Sequence, residues 1–462
     1  MKIFTVTLYA FHIYQTLSDD PQEVSQDAQD LWNSLVDAGQ FLPFEELKTI
    51  KSQLICYYPD KDGEFHYNSK EENRLEKEWL THHQDAINLT AIPTLSGEMS
   101  GEIQPFRLYD TYCVDLTLSP EKPDAEFEPQ DIARFKPSVL LNTIQANLHK
   151  IIVIHVEQRP WKKPNLEQAK EWVNAFCEKA EAGTPEYLDE IKLFNCPAFL
   201  FKITGATLII FLSKPDQLDH QQADDNYSWL RELFWTQAKI EWSYANAKEA
   251  YKDARHIYNK LEKKVKDFYS LISQKPEERL TNLDNLLKNL PQNLLDYSCC
   301  LRDLKAQYST IKINHENFQT YLTQLLDSGN KLEIWSKLAK ETYPRYLAQT
   351  QGYIESIEPG KELFTDLINT IRATAEVEQA KNEKELQDYI QALGFGIGAG
   401  AILASASGSI TQNWTWPNGQ KIESPIPLPH PFLIGFFGSL LVAVVVFDRE
   451  KHSLKQKRSG QK

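Results

Sequence analysis

Two long stretches without a charged residue near the end of the chain constrain its fold more than any other feature. Residues 392–410 (ALGFGIGAGAILASASGSI) and 431–447 (PFLIGFFGSLLVAVVVF) are nineteen and seventeen residues long. A hydrocarbon core of about 30 Å needs roughly twenty apolar residues in a helix. The pattern therefore predicts two C-terminal transmembrane helices, with residues 411–430 as an external loop between them.

Lysine and arginine counts predict how these two helices cross the membrane. The basic tail, residues 448–462, carries six such residues, whereas the loop between the apolar stretches carries only Lys421. Because positively charged segments stay on the cytoplasmic side, both termini are expected there and the loop outside. The predicted localisation is a multi-pass membrane protein with cytoplasmic N- and C-termini and membrane lipid as a partner.

Small residues recur at helical spacing on two opposite faces of the first apolar stretch. The glycines among them are Gly394, Gly396, Gly398, Gly400 and Gly408. Small residues allow helices in a membrane to approach closely. Two such faces favour a ring of identical helices, and thus a homo-oligomer. The alternative is that one face packs on the second apolar stretch while the other forms a dimer.

The chain before these stretches changes character near residue 222. Up to that point, runs of β-branched and aromatic residues predict strands, and helical periodicity separates them, as in residues 166–182. The strands are expected at residues 3–13, 53–58, 106–118, 151–156, 198–203 and 207–212. The predicted fold class is an α+β cytosolic domain, residues 1–222, followed by long helices.

Long helices are predicted from residue 223 to residue 391. Apolar residues at Ala254, Leu261, Val265 and Phe268 recur with charged residues between them, which is typical of coiled-coil-like packing. The pattern predicts a long-helix region over 223–358. A stalk helix, starting at Gly360 within 359–391, is then expected to enter the membrane.

Four aspartates just before the first long helix form a candidate metal site. They are Asp216, Asp219, Asp224 and Asp225. Carboxylate oxygens suit hard cations such as Mg²⁺. The alternative is a solvated loop whose last aspartate caps the helix.

Composition and motifs exclude several other functions. The formal net charge is -14, which argues against nucleic acid as a partner because phosphate binding needs clustered cations. The six cysteines form no CxxC pair. No nucleotide-binding, hydrolase or zinc-protease motif occurs in the sequence. We therefore expect no enzyme and no cofactor, apart from Mg²⁺ or another divalent cation as ligand or permeant ion.

The arrangement of an α/β domain, long helices, two apolar stretches and a basic tail resembles the CorA-type divalent-cation channel family. Members of that family carry Gly-Met-Asn at the outer end of the first span. In this chain the motif is absent, and Thr411 and Gln412 precede Asn413. The resemblance implies a homopentamer whose first spans line a pore. Ser405, Ser409 and Asn413 are then the pore-lining candidates.

Two functions follow from these patterns. The first is an oligomeric, CorA-like channel or transporter for divalent cations, with a cytosolic regulatory domain that responds to a ligand. The alternative is a membrane-tethered scaffold or signalling protein that conducts nothing and binds partners through its long helices. Two small-residue faces on the first apolar stretch favour the channel, since a simple anchor does not need them.

Overall fold

The structure, a computed structural model, describes residues 4–15, 24–68, 75–94, 97–120, 127–159, 161, 163–215, 217–272 and 276–379. The chain divides into two compact units. The first comprises the residues up to Trp242 together with Ile311–Arg345, and the second comprises Ser243–Thr310 and the residues from Tyr346 onward. The chain leaves the first unit along one long helix, returns along a second and leaves again along a third.

Strands dominate the first two hundred residues. Those of the described residues are β1 (Phe4–Ile13), β2 (Tyr57–Pro59), β3 (Phe65–Tyr67), β4 (Lys77–Trp79), β5 (Ile87–Thr94), β6 (Gly97–Leu108), β7 (Thr111–Pro120), β8 (His149–Glu157), β9 (Glu186–Leu193), β10 (Cys196–Ile203) and β11 (Ala206–Ser213). All but β2 and β3, which pair with each other, join one sheet in the order β4-β6-β7-β1-β8-β11-β10-β9, with β5 also paired to β6.

The pairing between strands is antiparallel except at one place. Strands β8 and β11 run parallel, with Ile151 opposite Thr207 and Glu157 opposite Ser213. A parallel connection needs a crossover, and the segment between these two strands contains a long helix and a pair of antiparallel strands. The carboxyl ends of β8 and β11 therefore lie side by side at one edge of the sheet.

Seven α-helices accompany the strands in the described residues. They are α1 (Asp30–Ala38), α2 (Glu45–Lys48), α3 (Leu166–Ala180), α4 (His220–Ile272), α5 (Pro276–Asp327), α6 (Glu333–Lys337) and α7 (Tyr343–Gln379). Helices α4, α5 and α7 are 53, 52 and 37 residues long, far above the average for globular proteins.

Alternation along the strands sends every second side chain to a large apolar core on one face of the sheet. On β1 this core takes Phe4, Val6, Leu8 and Ala10, which are at most 1% exposed. The ring of Phe4 lies 4.8 Å from the ring of Trp172 on α3. Side chains on this face thus pack beneath α1 and α3.

The opposite face of the sheet receives the first part of α4. The rings of Tyr9 and Phe234 are 5.3 Å apart, and Phe234 in turn lies 5.8 Å from Trp335 of α6. A bridge between Lys192 of β9 and Lys331 adds backbone contact on this side. The first unit is accordingly a sheet between two helical layers.

The second unit is built from three long helices with a seven-residue repeat of buried side chains. The repeat contains Ala247, Ala254, Leu261 and Phe268 on α4, Leu283, Leu290, Tyr297 and Leu304 on α5, and Ile357, Phe364 and Ile371 on α7. A strict seven-residue spacing keeps one seam facing inward and gives a left-handed coiled coil. The coiled-coil-like packing predicted for this region is thus observed.

The structure corrects the prediction of a two-span membrane protein with cytoplasmic termini. Among the residues that the structure describes, no helix is long and apolar enough to cross a membrane. The physical reason is visible on α7, where Glu362, Asp366 and Arg372 alternate with the buried stripe. Residues 392–410 and 431–447, on which the prediction depended, lie outside the described range. Of the predicted fold class, the α/β domain and the long helices remain.

Three predicted element boundaries were also wrong. The strand expected at 53–58 is observed only at Tyr57–Pro59, because Ile50–Gln53 form a short 3-10 helix before it. The run at 106–118 is not one strand, because the chain turns at Tyr109 and Asp110, and Tyr109 has a φ of 56°. The last helix begins at Tyr343 rather than after Gly360, and it passes through Pro359 without ending. Pro359 itself is exposed, and the packing of Ile357 and Phe364 in the coiled-coil core offsets the lost backbone hydrogen bond and the steric cost of the proline.

Candidate functional site

A continuous row of polar side chains crosses four central strands on the α4 side of the sheet. Its members, here called the polar row, are Thr117 of β7, Thr5 and Thr7 of β1, His155 of β8 and Ser213 of β11. Thr7 stands opposite Thr117, Thr5 stands opposite His155, and Ser213 stands opposite Glu157, the residue two positions beyond His155. The row lies where β8 and β11 end, which is the usual place for ligands in α/β sheets.

Hydrogen bonds connect neighbouring members of the polar row. The hydroxyl oxygens of Thr7 and Thr117 are 2.9 Å apart. Nε2 of His155 lies 2.9 Å from Oγ of Ser213, and its ring meets Phe211 edge-on. These contacts hold the side chains in fixed orientations, so the row presents donors and acceptors that are already positioned.

The polar row remains partly open although it lies on central strands. Thr5, Thr7, Thr117 and His155 are half-buried, whereas Tyr9, the next residue of β1 on this face, is buried beneath α4. Antiparallel strands commonly leave part of one sheet face uncovered. Ser213 is only 1% exposed, so the accessible part of the polar row comprises Thr5, Thr7, Thr117 and His155.

The imidazole of His155 is neutral at physiological pH. Burial, together with the nearby charge of His220, lowers its pKa to about 4. A general base works best when its pKa lies near the operating pH, because it must hold the proton it accepts. A histidine that resists protonation suits hydrogen bonding to a ligand better than proton abstraction from Ser213.

The first turn of α4 borders the polar row. Asp219 precedes the helix, and its carboxylate accepts a hydrogen bond of 3.0 Å from the backbone N–H of Gln222. This is an N-cap, and it satisfies one of the free N–H groups at the helix start. His220, the first residue of α4, is close enough to affect the pKa of His155.

A buried charge pair fixes α4 to the sheet next to the polar row. Asp115 of β7 accepts hydrogen bonds from Tyr227 at 3.0 Å and from Arg231 at 3.3 Å. Asp115 is 1% exposed and Arg231 is 5% exposed. Burial raises the pKa of Asp115, and the guanidinium of Arg231 opposes that shift. Burial and the charge of Asp115 together raise the pKa of Tyr9 and of Tyr227.

Further polar contacts continue along α4 after Arg231. Nζ of Lys239 donates to Asp110 at 2.5 Å, and Glu232 accepts from Lys77 at 2.6 Å. Between them the indole of Trp235 stacks on Tyr109 with ring centroids 5.5 Å apart. Within the first unit, α4 is thus held to the β6–β7 hairpin by specific contacts and not by apolar packing alone.

The four aspartates predicted as a metal site do not form a cluster in the described residues. Asp219 caps α4, while Asp225 accepts a hydrogen bond from Gln221 one turn earlier. Asp224 is exposed, and Asp216 lies outside the described residues. No group of three or more His, Cys, Asp or Glu side chains in the described part of the chain could hold a metal ion.

The residues predicted to line a pore or pack helices cannot be located in this structure. These are Ser405, Ser409, Asn413, Gly394, Gly396, Gly398, Gly400 and Gly408, all outside the described range. The polar row was not predicted from the sequence. A signal existed, because His155 and Ser213 are polar residues at the ends of strands whose centres are apolar, but their partners are far apart in the chain.

Comparisons with known proteins give no relative for this chain. No protein family, no curated protein and no solved structure matches it.

Proposed function

We propose that this chain is a regulatory protein that binds a small hydroxyl-bearing ligand, of the size and chemistry of a nucleoside or a disaccharide, at the polar row. The observation that carries this proposal is the row itself, with hydroxyl groups and a neutral imidazole across four strands. Adjacent strands lie about 4.8 Å apart, so the row extends roughly 14 Å. A nucleoside or a disaccharide fits that length.

The chemistry of the row favours hydroxyl groups over a charged ligand. Threonine and serine hydroxyls both donate and accept, and so does a neutral imidazole across its two nitrogens. Glu157 follows His155 on the same face of β8 and is 8% exposed, which disfavours an anion near it. A sugar or ribose offers the matching donors and acceptors without a charge.

Binding is a better explanation of this site than catalysis. The Ser213–His155 contact resembles a nucleophile and its base, but a pKa of about 4 leaves His155 a weak base. A second contact of the same kind, between Nε2 of His149 and the hydroxyl of Thr207 at 3.0 Å, occurs at the other end of the same two strands. Burial lowers the pKa of His149 to about 4 as well. A repeated contact of this kind supports a structural and binding role.

The position of α4 supports a regulatory role. Its first turn borders the polar row, and Tyr227 and Arg231 anchor the next turns to Asp115. The same helix continues to Ile272 as part of the coiled coil. A ligand on the polar row would contact or displace the helix start, and the anchoring residues would respond.

Channel activity is a prediction that the structure does not test, because residues 392–410 and 431–447, on which it depends, lie outside the described residues. Assembly into a homo-oligomer stays a prediction from the sequence, and so does the binding of a divalent cation.

Calorimetric titration of the full chain with adenosine, uridine, maltose and sucrose tests the proposal. We expect one of these to bind, and its affinity to fall about tenfold in Thr7→Val, which removes a half-buried hydroxyl, or in Ser213→Ala, which removes the buried hydroxyl that orients His155. Thr207→Val is the matched control, since it removes a hydroxyl bonded to histidine at the opposite ends of the same strands.

Two results would contradict ligand binding at this place. The first is that none of the four compounds produces heat of binding or raises the melting temperature of the wild-type chain. The second is that Thr207→Val weakens binding as much as Ser213→Ala does. Turnover of any compound, detected as product by mass spectrometry, would instead show that the Ser213–His155 pair is catalytic.

A further inference from the structure

One face of α4 in the second unit alternates tyrosines with cations. Tyr244, Lys248, Tyr251, Arg255 and Tyr258 follow at steps of four and three residues, so they form a single stripe along the helix. This set is called the tyrosine–cation stripe. Its tyrosines are half-buried and its two cations are exposed.

Stacking within the second unit holds the tyrosines in place. The ring of Tyr244 stacks on Tyr346 of α7 with centroids 3.8 Å apart, and Tyr251 stacks on Tyr353 with centroids 4.2 Å apart. The planes of each pair are within 13° of parallel. Both pairs sit at the edge of the coiled-coil core, one heptad apart.

The tyrosines in turn restrict the cations beside them. Nζ of Lys248 lies 4.2 Å from the centre of the Tyr244 ring, and the guanidinium of Arg255 lies 5.8 Å from that of Tyr251. Such contacts hold a cation over the negative face of an aromatic ring. They reduce the entropy that a long flexible side chain loses on binding a partner.

The surrounding segment of α4 is strongly basic in an acidic chain. Residues 248–266 contain seven lysines and arginines but three carboxylates, whereas the whole chain has a formal net charge of -14. Of the acidic residues on α7, Glu358 already pairs with Lys305 at 2.8 Å, and Glu355 accepts from Gln351. The cations of the stripe are therefore not neutralised by these two carboxylates.

We infer that the tyrosine–cation stripe is a docking surface for an acidic helical segment of a partner protein. Lys248 and Arg255 present positive charge seven residues apart along the helix, whereas Lys252 between them lies 3.5 Å from the carboxylate of Glu249. A partner helix that carries glutamates at the same heptad spacing places its carboxylates opposite Lys248 and Arg255. The tyrosine hydroxyls beside them add hydrogen-bond donors.

Single-stranded nucleic acid fits this surface less well. Its bases bind by stacking on free aromatic faces. Tyr244 has one ring face against Tyr346 and a lysine over the ring, so little of it remains for a base. The structure thus offers charge and hydroxyl groups without a stacking platform.

Fluorescence anisotropy with a labelled amphipathic peptide that carries glutamate at heptad spacing tests this inference on the full chain. We expect saturable binding that weakens as ionic strength rises, and no binding of the same peptide with glutamine in place of glutamate. Lys248→Glu combined with Arg255→Glu should weaken binding about tenfold, because two attractive ion pairs become repulsive.

Lys337→Glu combined with Lys340→Glu is the matched control, with the same charge change at two exposed lysines of the first unit. It should change the affinity less than about twofold. Equal weakening in both double variants would overturn the inference, since bulk charge would then explain binding. Tighter, variant-sensitive binding of a single-stranded DNA oligonucleotide would assign the surface to nucleic acid instead. Unchanged circular dichroism melting of each variant verifies that it is folded.

Discussion

At the residue level, the buried contact between Arg231 and Asp115 joins α4 to the sheet through two charged side chains. Neither side chain is more than 7% exposed. Desolvating two charges costs several kcal/mol each, and their attraction and hydrogen bonds recover that cost only while both are present. Phe106 adds an aromatic face 4.2 Å from the guanidinium, which stabilises the cation further. The pair thus determines where α4 lies on the sheet.

Arg231→Met should destabilise the first unit by about 3–5 kcal/mol, because it leaves the carboxylate of Asp115 buried without its cation. Adding Asp115→Asn should restore much of the loss, since no unpaired charge then remains. Urea unfolding followed by tryptophan fluorescence measures both effects. Lys170→Met, which removes an exposed pair with Glu167, is the control and should cost less than about 1 kcal/mol. A small effect of Arg231→Met would show that water reaches the pair.

At the level of secondary-structure elements, the coiled coil of the second unit depends on one close contact between α5 and α7. The hydroxyl of Tyr297 donates to the backbone oxygen of Ile357 at 2.7 Å, and Tyr297 is fully buried. A Cβ atom added to Gly360 would overlap that hydroxyl and would come within 3.0 Å of Tyr258. Glycine at this position is therefore required by packing and not by backbone conformation.

Gly360→Ala should destabilise the second unit by about 1–3 kcal/mol, although alanine is the better helix former by about 1 kcal/mol. Gly352→Ala in the same helix has open space around its added methyl group and should stabilise by up to about 1 kcal/mol. Thermal melting of both variants gives the comparison. Combining Gly360→Ala with Tyr297→Phe should recover part of the loss. Equal stabilisation by both glycine replacements would show that the side chain of Tyr297 does not restrict the space at Gly360.

The sequence was sufficient to predict the most apolar strands of the first unit because local patterns encode them, whereas short or polar strands such as β3, β4 and β9 were not predicted. Strand β1 was expected at residues 3–13 and is observed at Phe4–Ile13, and the strands expected at 198–203 and 207–212 are β10 and β11. The start of α7 was not predictable, since Pro359 and Gly360 are usually a break. The helix continues through Pro359 and Gly360 because Tyr297 of α5 packs against this turn. Its hydroxyl donates a hydrogen bond to Ile357, which lies sixty positions later in the chain.

The polar row could not be predicted for a related reason. Thr7, Thr117, His155 and Ser213 meet only because of strand order and register, which no spacing in the sequence records. A single threonine in a strand is far more often a surface residue than part of a site. The sequence alone therefore drew attention to the aspartates before α4, where clustering in the chain was visible but clustering in space did not follow.

For the whole molecule, helices α4, α5 and α7 are each divided between two units. The question is whether a loss of stability in one unit also destabilises the other. Each unit has its own apolar core, one around Leu31, Trp172 and Leu208 and one around Leu261, Phe364 and Ile371. Separate cores generally unfold as separate cooperative units, even where a helix is continuous through both. The free energy of local opening should then differ between the two parts of α4.

Hydrogen exchange measured by mass spectrometry on Arg231→Met shows whether the two units open independently or unfold together. Exchange should become faster in β6, β7 and residues 220–242, where the lost charge pair lies, and stay unchanged in residues 346–379. Gly360→Ala should give the reverse pattern. A uniform increase in both units, in either variant, would mean that the chain unfolds as one cooperative body. A ligand on the polar row would then stabilise the coiled coil through global folding and not through the helix start alone.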